Sequence, residues 1–172
     1  MKLRNLAKMG VVALSIAAAS TAFAAKGTQK NEAFKVKIKL LTPLVITETA
    51  EMDFGSFVAG EDTGAKVLDH TNGAKFNITG AANYSVTVSL ADSSTVMKKD
   101  GTGNTAATQI TADSFQIWKT GGAQIGSTQA GGSISLGATG TIGVEVGGTA
   151  NLAADDVAGD YYENNTLQVI YD

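Results

Sequence analysis

His70 is the single imidazole in the 172-residue chain, and there is no cysteine. A nucleophile-histidine-carboxylate relay, a histidine-rich metal site and a thiolate metal site all need partners that this composition withholds. His70 stands in LDHTNG, next to an Asn-Gly pair, so its spacing assigns it to a surface turn. The carboxylates fall as Glu61-Asp62 and Asp155-Asp156, with Asp92 and Asp113 near expected strand ends. Calcium takes about six to eight oxygen ligands, and no D-x-D-x-D-G run gathers them here. These groups read as solvated loop charges. Any two of them would satisfy the spacing of a glycosidase pair, which makes that signal empty. Gly101-Thr102-Gly103 lacks the strand-to-helix setting and the lysine of a phosphate cradle. Trp118 and Tyr162 lie on the parity opposite to the apolar faces and are the candidate ligand-surface aromatics, whereas Tyr84, Tyr161 and Tyr171 run in phase with core positions. No acid, base, nucleophile and orienting group assemble from these residues, so the expectation is a structural or adhesive protein, not an enzyme, with no metal or cofactor.

The elements that would position such groups are strands. Residues 34–57 read FKVKIKLLTPLVITETAEMDFGSF, and within them Phe34, Val36, Ile38 and Leu40 alternate with Lys35, Lys37 and Lys39. That is the period of a strand with one dry and one wet face. Each of the four apolar side chains contributes ~1.5–3 kcal/mol when fully buried. The groove they fill belongs either to this chain's own domain or to a neighbouring molecule, and the lysines would discourage unwanted edge pairing in both cases. Pro43, the single proline, marks an edge or a joint before a short strand at 44–47. Residues 53–57, DFGSF, suggest a strand with a bulge at Gly55.

Further strands are expected at 67–68, at 75–79 and at 84–90, where YSVTVSL alternates as a central core strand entered from a turn at Ala82-Asn83. Residues 98–105 read as the longest polar loop. A strand then carries Phe115, Ile117 and Trp118 to a turn at Gly121-Gly122. Ile134 and Leu136 mark a short strand, and Ile142, Val144 and Val146 alternate up to a turn at Gly147-Gly148. A last element places Tyr161, Leu167, Val169 and Tyr171 on one face. Roughly nine strands with short turns give an all-β, immunoglobulin-like β-sandwich of Greek-key type. No internal repeat points to a solenoid or propeller.

The first residues have the layout of a cleaved secretory leader: Lys2, Arg4 and Lys8, an apolar run from Met9 to Ala19, and Ala22-Phe23-Ala24 as the cleavage site. The expected organisation is a signal peptide at 1–24, a flexible tail at 25–33 and one domain at 34–172. The apolar run is shorter than the ~18 residues that span a bilayer, and no later segment qualifies. Without the leader the chain holds ten basic and sixteen acidic residues, a net charge of −6 that disfavours nucleic acid and anionic headgroups. The expected destination is the periplasm, cell surface or exterior of a bacterium. With no cysteine, stability there must come from packing and ladders.

Two segments carry a family resemblance. LTPLVITETAEMDFGSFVAG, residues 41–60, resembles the opening of the family catalogued as domain of unknown function 4402, exported bacterial β-sandwiches. A DFG-aromatic segment followed by a YSVTVSL-like strand is also similar to spore-coat-U-type subunits of archaic chaperone-usher pili. Gly159, Tyr161, Glu163, Leu167, Val169 and Tyr171 fall where such pilins carry a G-x-Y-x-D corner and a final strand. The chain departs from them in lacking a disulfide and in Asn165, which interrupts the last strand's apolar parity. The resemblance implies a fibre subunit whose sandwich is completed by a neighbour's N-terminal extension, here residues 34–41 with Phe34, Val36, Ile38 and Leu40 as donor-strand residues. It also implies self-association or related subunits as partners, together with a periplasmic chaperone. The alternative is a self-contained surface or periplasmic binding domain for a glycan or protein ligand.

Overall fold

The computed structural model describes residues 31–127 and 131–172. The leader assigned to 1–24 and most of the tail assigned to 25–33 lie outside the described residues. The chain divides into two units, residues 1–38 and 39–172. In the first, residues 31–38 carry no regular secondary structure, and the same holds up to residue 44. Phe34, Val36, Ile38 and Leu40 are 85 %, 81 %, 88 % and 85 % exposed. The strand expected over 34–41 is therefore not formed within the chain. Alternation prepares a strand, but a ladder exists only when a neighbouring backbone takes up its N–H and C=O groups.

The second unit contains eleven strands among the described residues: β1 (Val45–Ala50), β2 (Gly64–Leu68), β3 (Ala74–Thr79), β4 (Ser85–Leu90), β5 (Thr95–Lys99), β6 (Gln109–Lys119), β7 (Gln124–Ser127), β8 (Gly132–Ser135), β9 (Thr141–Leu152), β10 (Tyr161–Tyr162) and β11 (Leu167–Tyr171). The larger sheet runs β1-β3-β9-β6-β5-β10, with β2 also paired to β9 and β7 to β6; the smaller sheet runs β11-β4-β8. The fold is an all-β sandwich. Its core takes Ile78, Val144 and Ile117 from the larger sheet and Val86 and Val88 from the smaller, all fully buried, as is Leu136 just past β8.

Several local features depart from the period-2 reading, each for a physical reason. In β6, Ala112 and Phe115 are both buried although an uninterrupted strand would put them on opposite faces. The register against β9 shifts between Asp113 and Gln116, and Ser114 takes φ +52°, so a bulge restores Phe115 to the core. Gly147-Gly148 is not a turn: β9 passes straight through it. A Cβ at Gly147 would stand 2.7 Å from the His70 nitrogen, and one at Gly148 2.7 Å from Phe115 Cδ1, so the pair serves close approach on both faces. Residues 53–57 form no strand; Asp53 Oδ1 accepts from the Gly55 N–H at 2.8 Å, and Gly55 sits at φ +89°. The final element divides, Tyr161 joining the larger sheet on β10 while β11 joins the smaller one.

The two sheets are stitched along one side. β7 pairs with β6 in the larger sheet and β8 with β4 in the smaller, and the backbones of Gly126, Gly131 and Gly132 meet so closely that a Cβ on Gly132 would collide with the Ile125 carbonyl. On the other side the terminal strands are β1 and β11, which among the described residues pair with nothing beyond β3 and β4 respectively.

Candidate functional site

The seam between β1 and β11 is closed at one end and open at the other. At the closed end, the Tyr171 hydroxyl donates to the Thr42 carbonyl at 2.7 Å and accepts from the Ala81 N–H at 2.6 Å. Tyr84 meets Tyr171 edge-on at 6.0 Å, and Lys39 Nζ lies 4.5 Å over the Tyr84 ring. Toward the other end the seam widens into a cleft of about 420 Å³, with Glu48 on β1 and Glu51 and Met52 just after it on one side, and Asn164, Asn165 and Leu167, the first residue of β11, on the other. Its floor is the sandwich interior, including Phe76, Leu90 and Phe115. A second cleft of about 460 Å³ adjoins it, and Met52 and Phe54 line both, so the DFG turn partitions the opening.

Three features of this opening bear on what it can do. First, β11 has a free edge. Thr166 accepts from Ala91 N–H and Asp172 N–H donates to Ser85, so the even-numbered residues of this stretch bond to β4. In an antiparallel ladder the alternate residues, Leu167, Val169 and Tyr171, then aim their N–H and C=O groups away from β4. Second, Thr95 lines the first cleft and is 8 % exposed, and its hydroxyl is buried without a hydrogen-bond partner. Third, the linings are acidic: Glu48, Glu51 and Glu163 in one, Asp53, Asp62, Asp156 and Asp160 in the other, with no lysine or arginine among the described residues of either. Glu163 is held below the usual carboxylate range by the Asn164 N–H and then by Lys98, 3.1 Å away. Asp62 is held low by the Val58 N–H and by Lys66.

The candidate aromatics separate. Tyr162 lines the first cleft and is exposed, its ring covering Gly101. Trp118 lines neither cleft; its indole is stacked on His70, ring centroids 4.3 Å apart and 11° between planes. His70 is correspondingly more than a turn residue. It opens a 3₁₀ turn, His70–Asn72, capped by the Asp69 side chain, and its Nδ1 is 2.8 Å from Glu145 Oε2. Glu145 is 6 % exposed, on the outer side of β9 beneath this turn. Sequence spacing missed Glu145, although its place between Val144 and Val146 marks it as facing away from the core. Among the described residues no group of three or more metal-ligating side chains occurs, and the acidic pairs Glu61-Asp62 and Asp155-Asp156 are not brought together into one.

An antiparallel two-sheet sandwich whose sheets are stitched on one side, and whose terminal strands β1 and β11 flank a cleft on the other, defines an all-β sandwich protein. The chain belongs to the family described as Domain of unknown function (DUF4402), whose model matches residues 63–171. That match takes in YSVTVSL and the closing strand and begins just past residues 41–60, where the opening resemblance was read. No curated protein matches the chain. No solved structure matches it either. Among the described residues no helix is long and apolar enough to cross a membrane.

Proposed function

We propose that the protein is an exported, non-enzymatic structural subunit of a pilus-like or surface fibre, in which residues 34–41 of one copy fill the seam between β1 and β11 of the next. The observation that carries this reading is the pairing of two unmet requirements. Among the described residues the chain's cleanest alternating segment is exposed and in no ladder, and the sandwich has one side on which both terminal strands lack a neighbour. An extended segment entering from the open end would hydrogen-bond to the outward backbone of Leu167 and Val169 and set its apolar face of Phe34, Val36, Ile38 and Leu40 against the exposed interior. Head-to-tail donation by a segment outside the acceptor's own fold generates an open chain of subunits, not a closed dimer.

Electron microscopy of the mature chain should show filaments. Ile38→Asp should leave a monomer by light scattering whose melting temperature is unchanged, because residue 38 contributes nothing to its own domain's core. A wild-type chain that stays monomeric at high concentration would refute the fibre reading. The second reading, a monomeric surface or periplasmic binding domain for a glycan or protein ligand, is favoured by the unpartnered Thr95 hydroxyl in a cleft of ligand size, roughly 300–1,000 Å³. Under it Tyr162, and not Trp118, is the aromatic placed to touch a ligand.

A further inference from the structure

We propose that the acidic lining of the seam draws in the lysine-striped segment 34–41 of a second copy of this chain and fixes which face of it enters, an inference that rests on the strand-donation reading above. Charge is divided unevenly along the sequence. Residues 25–41 hold five lysines and one glutamate, a net +4, whereas residues 42–172 hold five lysines and fifteen carboxylate residues, a net −10. The two clefts concentrate that negative charge around an apolar floor, and Glu48 and Glu51 at the mouth of the first are in no ion pair among the described residues. Glu48 is also unusual in direction. It stands opposite Phe76 as Ile46 stands opposite Ile78, so an edge strand turns a carboxylate toward the sandwich interior.

Three consequences follow from that placement. An inward carboxylate at a free edge repels an acidic strand and would lose its hydration against a neutral one, which disfavours pairing between the β1 and β11 edges of neighbouring copies. A strand with ammonium groups at every second position is attracted instead, since a low-dielectric cleft lined by one sign of charge focuses the field on an approaching opposite charge. The stripe also sets orientation: with Phe34, Val36, Ile38 and Leu40 inward, Lys35, Lys37 and Lys39 stay in water, while the opposite face would bury three charges in an apolar floor.

The test uses the full mature chain carrying Ile38→Asp as a non-donating acceptor and labelled peptides spanning residues 34–41, followed by fluorescence anisotropy. Raising salt from about 10 mM to about 1 M shortens the screening length from ~30 Å to ~3 Å. The association rate of the native peptide should fall about tenfold or more over that range. A peptide with all three lysines changed to glutamate should bind roughly a hundredfold more slowly at low salt, and an acceptor with Glu48→Lys and Glu51→Lys should reverse the preference between the two peptides. Both acceptor positions are exposed, and Glu51→Lys alone should shift the ratio in the same direction by a smaller factor. If both peptides bind equally fast at every salt concentration, the electrostatic selection is overturned and strand donation stands. If neither peptide binds, strand donation itself fails and the selection falls with it.

Discussion

At the scale of single residues, the polar contacts that matter reach across long separations. His70 and Glu145 meet although 75 positions apart, and Trp118 covers the imidazole from a third element. His70→Ala should therefore destabilise the domain by roughly 1–3 kcal/mol in urea unfolding, because it leaves a buried carboxylate short of its partner, and His70→Gln should recover part of the loss. Asp172 is the other such residue. Its carboxylate accepts from the hydroxyls of Ser133 and Thr87, tying β8 and β4 to the end of the chain, and these bonds hold its carboxyl below the ordinary value of 3.8. A carboxyl lowered in the folded state stabilises above its unfolded value and ceases to as pH falls through the folded one. The wild type should thus lose stability against Asp172→Asn only as pH drops below about 4, a difference that thermal melts across pH 2–6 would read. The sequence could assign His70 to a turn from its neighbours, and the turn is there; its role was hidden because nothing local encodes a partner on β9. Glu145 was visible as a charge on the outward parity of that strand, but not as a buried one.

At the scale of elements, what was legible was whatever alternated on its own. β3, β4, β9 up to Val146, and β11 were all readable from apolar residues two apart, and Asn83 with φ +62° is the turn that Ala82-Asn83 signalled. β5 and β7 were missed because one is five residues with two lysines and the other has a single large apolar side chain, Ile125; both are held by β6, not by their own pattern. The Gly147-Gly148 pair misled because glycine permits a turn and also permits crowding, and only the neighbours decide which. Crowding gives a direct prediction at the stitched side. Gly132→Ala should cost about 1–3 kcal/mol in denaturant unfolding because its methyl group meets the Ile125 carbonyl, whereas an alanine at Gly122 meets only the bendable Lys119 side chain and should cost less. The free edge gives another. By hydrogen exchange, the Val169 amide should exchange at least tenfold faster than that of Ile170 in the monomer, since Val169 points away from β4 and Ile170 toward it, and on the fibre reading it should become protected in filaments.

At the scale of the whole molecule, composition was enough for the class: many β-branched residues and glycines, one proline and no cysteine lead to short strands and two sheets. The open seam was implied by the family resemblance but not legible in composition or periodicity, because it arises from the order in which strands pair, and that order is a property of the finished sheets. Once the seam is located, the division of charge between residues 25–41 and 42–172 acquires a direction that net charge alone conceals. The stitching of β7 to β8 has a mechanical consequence. A pull on residues 39–44 enters at Thr42 and the start of β1, while a partner's segment lying along β11 would be gripped across the same gap. The glycine-packed spine on the far side would keep the two leaves from splaying, so that on the fibre reading a subunit without a disulfide would carry tension.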